Sequence, residues 1–228
     1  MLNSLEVTGR ARTHVVQIDS PRFAAQPEVV AAFLELRAAA AKVGFDIEPF
    51  SSFRDYRTQL RIWNHKFSGQ KPLYSRDGIA RDYTKLTEMQ IVRHILDWSA
   101  LPGASRHQWG TEIDVVDRSA VEKDYLPQLL PQETVPGGVF HPLHVWLEEN
   151  IADYGFFRPY KRYQGGMFEE PWHLSYAPAS LVAINEVSVQ LLIDVTKEAN
   201  ILGKEIVLDL IPEIYEKHVL NYISPDDQ

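Results

Sequence analysis

Ser105-Arg106-His107-Gln108-Trp109-Gly110-Thr111-Glu112-Ile113-Asp114-Val115-Val116 changes character at Gly110. Before the glycine the residues are polar or aromatic. After it Thr111, Ile113, Val115 and Val116 are β-branched and suit a pleated strand. His107 and Asp114 stand seven residues apart, a spacing that on one helix places both on one face. Gly110 and the β-branched run favour a turn that enters a strand, with His107 on the turn, Asp114 on the strand and both facing one cavity. An imidazole and a carboxylate so placed can ligate a divalent metal. A His and an Asp this close are also common where no metal binds.

Upstream, Pro27 opens a helix expected over 27–43, with Val30, Phe33, Leu34 and Ala41 on its apolar stripe and Gly44 as its stop. A half-buried strand is expected at 45–48 and a second helix at 55–67. A polar loop with Pro72 and Gly78 follows. Thr87 and Gln90 form a capping box for a helix through about Trp98, which Pro102 and Gly103 end. Downstream, 118–139 carries three prolines and two glycines and is expected to be a long loop, either a lid or a passive excursion. A helix at 141–153, a short strand at 172–176 and two amphipathic helices at 180–198 and 203–220 complete the chain. Strands and helices mix without regular βαβ alternation, which predicts an α+β fold. A small antiparallel sheet flanked by helices is expected to carry the candidate site. The expected division is an N-terminal segment 1–26, a main domain 27–180 that holds the candidate metal ligands and a C-terminal helical extension 181–228 packed on the same domain.

Composition narrows the function classes. The 228 residues include no cysteine, which removes disulfides, thiolate nucleophiles and Cys-type zinc sites. The formal net charge of −8 disfavours nucleic acid as a partner, because phosphates call for a basic surplus. No apolar run reaches the roughly 18 residues of a membrane span, and the first twenty residues lack the apolar core of a secretory signal. The expected location is therefore cytoplasmic, or the cell envelope had a leader been removed. Oligomeric state is not legible.

Two further segments bear chemistry. In Glu169-Glu170-Pro171-Trp172-His173-Leu174-Ser175-Tyr176, His173 offers a third metal ligand and Glu170 a carboxylate able to act as a base; a His between Trp and Leu is also an ordinary core residue. In Ser51-Ser52-Phe53-Arg54-Asp55-Tyr56-Arg57-Thr58-Gln59, Arg54 can fork onto a carboxylate or steady an oxyanion, or form a surface ion pair. His141 and His144, three apart at a helix start, have no third ligand nearby in sequence and suit surface or capping roles.

Taken in order, the three segments resemble the D-Ala-D-Ala carboxypeptidase and dipeptidase family of zinc peptidases, part of the group that includes lysostaphin and the hedgehog N-terminal domain. The shared pattern is aromatic-Arg with Gln five residues after the Arg, then S-x-H-x-x-G-x-x-x-D, then E-x-W-H-x-x-Y. Here these are Phe53-Arg54 and Gln59, then Ser105, His107, Gly110 and Asp114, then Glu170, Trp172, His173 and Tyr176. The resemblance implies one Zn²⁺ per chain on His107, Asp114 and His173. It implies Glu170 as the catalytic base and Arg54 at the scissile carbonyl, with Gln59, Ser105, Trp172 and Tyr176 supporting the site or touching substrate. It also implies a peptidoglycan peptide or another D-Ala-terminated peptide as substrate. Carboxypeptidase, dipeptidase and endopeptidase action stay open, as does a non-catalytic zinc-stabilised binding domain. One departure stands out: the position two before Asp114 is usually small in the family and is Glu112 here. On a strand Glu112 shares a face with Asp114 and can alter the surroundings of the metal or read substrate; a bulge would send it to solvent.

Overall fold

The computed structural model describes residues 1–228. A short helix α1 (Ser4–Val7) and a hairpin of β1 (Val16–Asp19) and β2 (Arg22–Ala25) lead into α2 (Pro27–Ala41). Then come β3 (Ile47–Ser51), α3 (Tyr56–Phe67), α4 (Glu88–Leu96), β4 (Glu112–Asp117), α5 (Pro131–Thr134), α6 (His141–Asn150), β5 (Phe156–Phe157) and β6 (His173–Tyr176). The chain closes with α7 (Ala177–Ala183), α8 (Val189–Glu198) and α9 (Lys204–Ile214). This is the α+β arrangement expected, with the central sheet antiparallel throughout in the order β3-β4-β6-β5.

Register puts the chemistry on one face of that sheet. Asp114 pairs with His173 and Glu112 with Ser175 across β4 and β6. Because side chains alternate along a strand, Ile113, Val115 and Leu174 point the other way. All three are fully buried and join Phe33 and Leu36 of α2 and Leu143 and Leu147 of α6 in one hydrophobic cluster. One face is thus sealed by helices and held rigid. The other is free for polar groups.

A second cluster joins Trp63 of α3 and Val92 and Ile95 of α4 to Leu192 of α8 and Val207 and Ile211 of α9. The C-terminal helices therefore share a core with the helix that follows Arg54. The expected cap on α4 is present: Thr87 Oγ1 accepts from Gln90 N, and Gln90 Oε1 accepts from Thr87 N. No single helix is long and apolar enough to cross a membrane.

Several local expectations are corrected. The helix expected at 180–198 is two helices bent by 73°, because Ser188 is extended and its side chain caps Leu191 N, which restarts the backbone as α8. The helix expected over 203–220 ends its α-helical part at Ile214, shortly after Pro212, and continues as a π-helix through Leu220. The strand expected at 45–48 lies two residues later, since pairing with β4 begins at Ile47 and tolerates a bulge at Pro49–Ser51. The N-terminal hairpin had no signal in the sequence pattern. Gly110 adopts φ +70°, and a Cβ there would collide with Val15 Cγ1. The turn that carries His107 into β4 accordingly needs glycine twice over, for conformation and for space.

Candidate metal centre

His107 sits in a single 3₁₀ turn, Arg106–Trp109, just before Gly110. Its Nδ1 lies 2.9 Å from the Ser52 carbonyl, so Nδ1 carries the proton and Nε2 keeps its lone pair. Nε2 is 3.3 Å from Asp114 Oδ2. The other Asp114 oxygen is 2.9 Å from His173 Nδ1. The two imidazoles meet edge to face with centroids 4.8 Å apart. Ligand atoms of His107, Asp114 and His173 all lie within 4.8 Å of one another, and all three residues are buried. Two imidazole nitrogens and one carboxylate oxygen converging on one point are a donor set that fits Zn²⁺, with a position left over for a reacting group.

The field of the site favours a cation. Burial alone would raise the Asp114 carboxyl, but His107 and His173 outweigh it and hold the group well below the usual carboxylate range. Burial pushes His107 down, towards the neutral form a metal needs. His173 is flanked by two carboxylates, Asp114 and Glu112, which overcome its burial and raise it to about 10. Those same carboxylates form the negative environment in which a divalent ion displaces that proton.

Glu170 precedes β6, three residues before His173, and its Oε2 is 3.6 Å from His173 Nδ1. Burial pushes its carboxyl up to about 7, with Asp114 adding to the rise and His173, Lys66 and Arg54 opposing it. A carboxyl poised near neutrality beside the ligand cluster suits proton transfer in both directions. Arg54 follows β3; its Nη1 donates to Gln59 Oε1 (3.0 Å) and its Nη2 to Ser51 Oγ (2.8 Å). Gln59 is fully buried and itself donates to the Ala100 carbonyl (2.8 Å), so Arg54 is aimed by a fixed support.

These groups line one cavity of about 430 Å³. Arg54, Ser105, His107, Asp114, Glu170, Trp172 and His173 all reach it. Gln59 stands behind Arg54. Tyr176 does not reach the cavity: by strand alternation it points away from His173, and its ring packs edge-on against Phe156 (5.4 Å). Of the two roles expected for it, supporting the site or touching substrate, its packing on Phe156 fits the first. Several lining residues lacked a sequence signal. Lys66 on α3, Trp98 and Tyr160 come from distant segments, and the 118–139 loop supplies Gln128, Leu129 and Leu130. His141 and His144 stand outside the cavity, as expected for histidines without a third ligand.

The fold and the donor set define a zinc peptidase of the kind that carries its metal on two histidines and an aspartate. A family model described as VanY, D-alanyl-D-alanine carboxypeptidase, matches residues 22–179, and the chain belongs to that family of zinc metallopeptidases. Two uncharacterized Haemophilus influenzae proteins are similar to it. One is 33% identical over 122 residues, covering 53% of this chain and 93% of the relative; the other is 41% identical over 98 residues, covering 42% and 67%. Among solved structures, VanYB in complex with D-alanine-D-alanine shares the fold at TM-score 0.55 and 20% identity, covering 83% of this chain and 92% of its own. A mutant of the vancomycin-resistance D,D-pentapeptidase VanY in complex with Zn(II) does so at TM-score 0.54 and 21% identity, covering 75% and 83%.

Proposed function

We propose that the chain is a carboxypeptidase that removes a terminal D-Ala from peptidoglycan-type peptides, with His107, Asp114 and His173 holding Zn²⁺ and Glu170 moving the proton. Bound there, Zn²⁺ supplies a Lewis acid that polarises the scissile carbonyl and makes water a usable nucleophile near neutral pH. Glu170 takes the proton of the attacking water and passes it to the leaving amine. Arg54, held by Gln59 and Ser51, faces the negative charge that develops on the carbonyl oxygen. Trp172 and Tyr160 wall the site against bulk water.

The observation that carries the exopeptidase choice is the set of cationic side chains that line the same cavity as the metal ligands. Lys66 Nζ donates to Ser99 Oγ (2.7 Å) and forms no ion pair. Lys71 lines the same cavity. In a chain of net charge −8, Arg54, Lys66 and Lys71 gathered at one cavity suit the free carboxylate of a peptide C-terminus. An endopeptidase groove has no such charge to meet. Dipeptidase action uses the same carboxylate contact and is separated by what stands N-terminal to the scissile bond.

Mass spectrometry of a muramyl pentapeptide ending in D-Ala-D-Ala tests the proposal. Zinc-loaded protein is expected to release one D-Ala, and a chelator to abolish release. Cleavage of free D-Ala-D-Ala alone would instead establish a dipeptidase, and cleavage only within cross-linked peptides an endopeptidase.

A further inference from the structure

Glu112 is fully buried on the same face of β4 as Asp114, and it makes a contact that Asp114 does not. Its Oε2 is 2.8 Å from His173 Nε2, while Asp114 Oδ1 is 2.9 Å from Nδ1 of the same ring. The two nitrogens of an imidazole point apart, so one ion cannot meet both. Asp114 and His107 Nε2 lie on the Nδ1 side. Glu112 therefore stands behind the ring and is not a fourth ligand.

We infer that Glu112 is a positioning residue for the metal: it fixes a proton on His173 Nε2 and so presents Nδ1, correctly turned, to the ion. The inference rests on His107, Asp114 and His173 being the ligands. A ligating histidine held from behind by a carboxylate gains both orientation and donor strength. The surroundings of Glu112 suit a carboxylate. Thr111 Oγ1 donates to its Oε1 (2.7 Å), Ser175 Oγ lies 2.8 Å from that oxygen, and Arg106 Nε is 3.4 Å away. The Thr111 and Ser175 hydroxyls and the His173 ring lie within hydrogen-bond distance of the carboxylate, and the Arg106 guanidinium adds a positive charge beside it. Glutamine in its place could keep the ring contact through its Oε1, but it would turn an NH₂ towards the Arg106 guanidinium and bring no charge to the ring.

Arg106 places its guanidinium beside the carboxylate. It is buried, its Nη2 donates to Ser175 Oγ (2.8 Å), and its guanidinium lies over Trp109 at 4.7 Å and Tyr222 at 5.2 Å. Tyr222 comes from the C-terminal segment and Trp109 from the His107 turn. The chain thus places an Arg–Glu–His relay behind its metal where the family pattern has a small residue.

Three measurements on the full chain test this. Zinc affinity by competition with a chromophoric chelator is expected to fall about 10–100-fold in Glu112→Gln. Ser175→Ala touches the same carboxylate but not the ring, and is expected to change affinity less than about threefold while lowering the apo melting temperature. Long-range ¹H–¹⁵N correlation on the zinc-loaded wild type is expected to show His173 protonated at Nε2 and perturbed by metal at Nδ1. The inference is overturned if Glu112→Gln binds zinc as the wild type does, if both variants lose affinity equally, or if His173 carries its proton on Nδ1. Should Glu112→Gln not fold, the wild-type spectrum alone decides. A wild type that binds no zinc would defeat the ligand assignment itself, a separate outcome.

Discussion

In the proposed mechanism Glu170 and Lys66 divide catalysis from recognition. Glu170→Gln keeps the shape of the side chain and removes the base. Zinc content is expected to stay at one per chain while kcat falls by roughly 10²–10⁴, the range general acid–base catalysis supplies. Metal analysis beside steady-state kinetics on a D-Ala-terminated peptide checks both halves. A variant with full zinc and undiminished hydrolysis would remove Glu170 from the chemistry. Lys66 is pushed down to about 8 by burial, with Glu170 opposing that fall. Lys66→Met deletes the charge, and a hydrogen bond to a charged group contributes about 1.5–3 kcal/mol. KM for a free-acid peptide is therefore expected to rise about tenfold or more, with little change for the same peptide as a C-terminal amide. Equal effects on both would show that Lys66 does not read the carboxylate. His107, Asp114, His173, Glu170 and Arg54 were legible in the sequence because each lies in a short segment with fixed internal spacing. Lys66 and Tyr160 were not, and Glu112 was marked as sharing the face of Asp114 without any sign that it would meet the His173 ring. Their meaning depends on where β6 pairs with β4 and how α3 leans over the cavity, which no local spacing encodes.

At the scale of elements, the 118–139 segment decides how the cavity is closed. It is less free than its prolines and glycines suggest. Glu133 of α5 is buried and acts as a clasp: its carboxylate accepts from Tyr125 Oη (2.7 Å), Gln128 N (2.9 Å) and Leu130 N (3.3 Å). Those bonds hold Gln128, Leu129 and Leu130 against the cavity. Leu129 sits at φ +51°, a conformation that costs a non-glycine residue about 1–2 kcal/mol and persists only where neighbours impose it. Glu133→Ala removes three acceptor contacts at once. The expected result is faster hydrogen exchange over 124–134 and a higher KM with zinc affinity unchanged. Unaltered exchange there would mean the clasp is redundant. The prolines in the sequence announced a loop but not its anchoring, since Glu133 bonds to backbone N–H groups that only the folded path brings near. The regular elements were more readable. α3, α4 and β4 follow from caps, periodicity and β-branching, and α2 starts at Pro27 as expected, but its buried stripe is Val29, Val30, Phe33, Leu36 and Ala40, with Leu34 and Ala41 exposed; the split between α7 and α8 turned on the cap at Ser188.

For the whole molecule, titration of buried groups outside the metal centre ties stability to pH. His144 on α6 is buried beside Arg158 and close to His141, with its Nε2 lacking any partner. Burial, then the charges of Arg158 and His141, lower it to about 3. Its unfolded value is about 6.5. The folded state binds the proton more weakly, so the contribution of neutral His144 is complete above pH 6.5 and drains away as pH falls from 6.5 towards 3. One such group costs about 1.4 kcal/mol per pH unit within that window. Glu170 acts in the opposite sense: its folded value of about 7 exceeds its unfolded one, so in zinc-free protein it adds stability as pH falls from 7 to about 4.5. The raw curve mixes the two, and a variant separates them. His144→Gln stays neutral at every pH and can still accept from Arg158. Measured by urea denaturation in chelator, the wild-type minus variant difference is expected to be flat above pH 6.5 and to turn against the wild type below it. By pH 4.5 the swing should be about 2–3 kcal/mol. A difference that stays constant from pH 8 to 4.5 would show that His144 titrates normally and that α6 opens to water near Arg158. The sealed face of the sheet would then be less rigid than its packing implies, and the precision of Asp114 and His173 on the opposite face would have to come from the bonds among the ligands themselves.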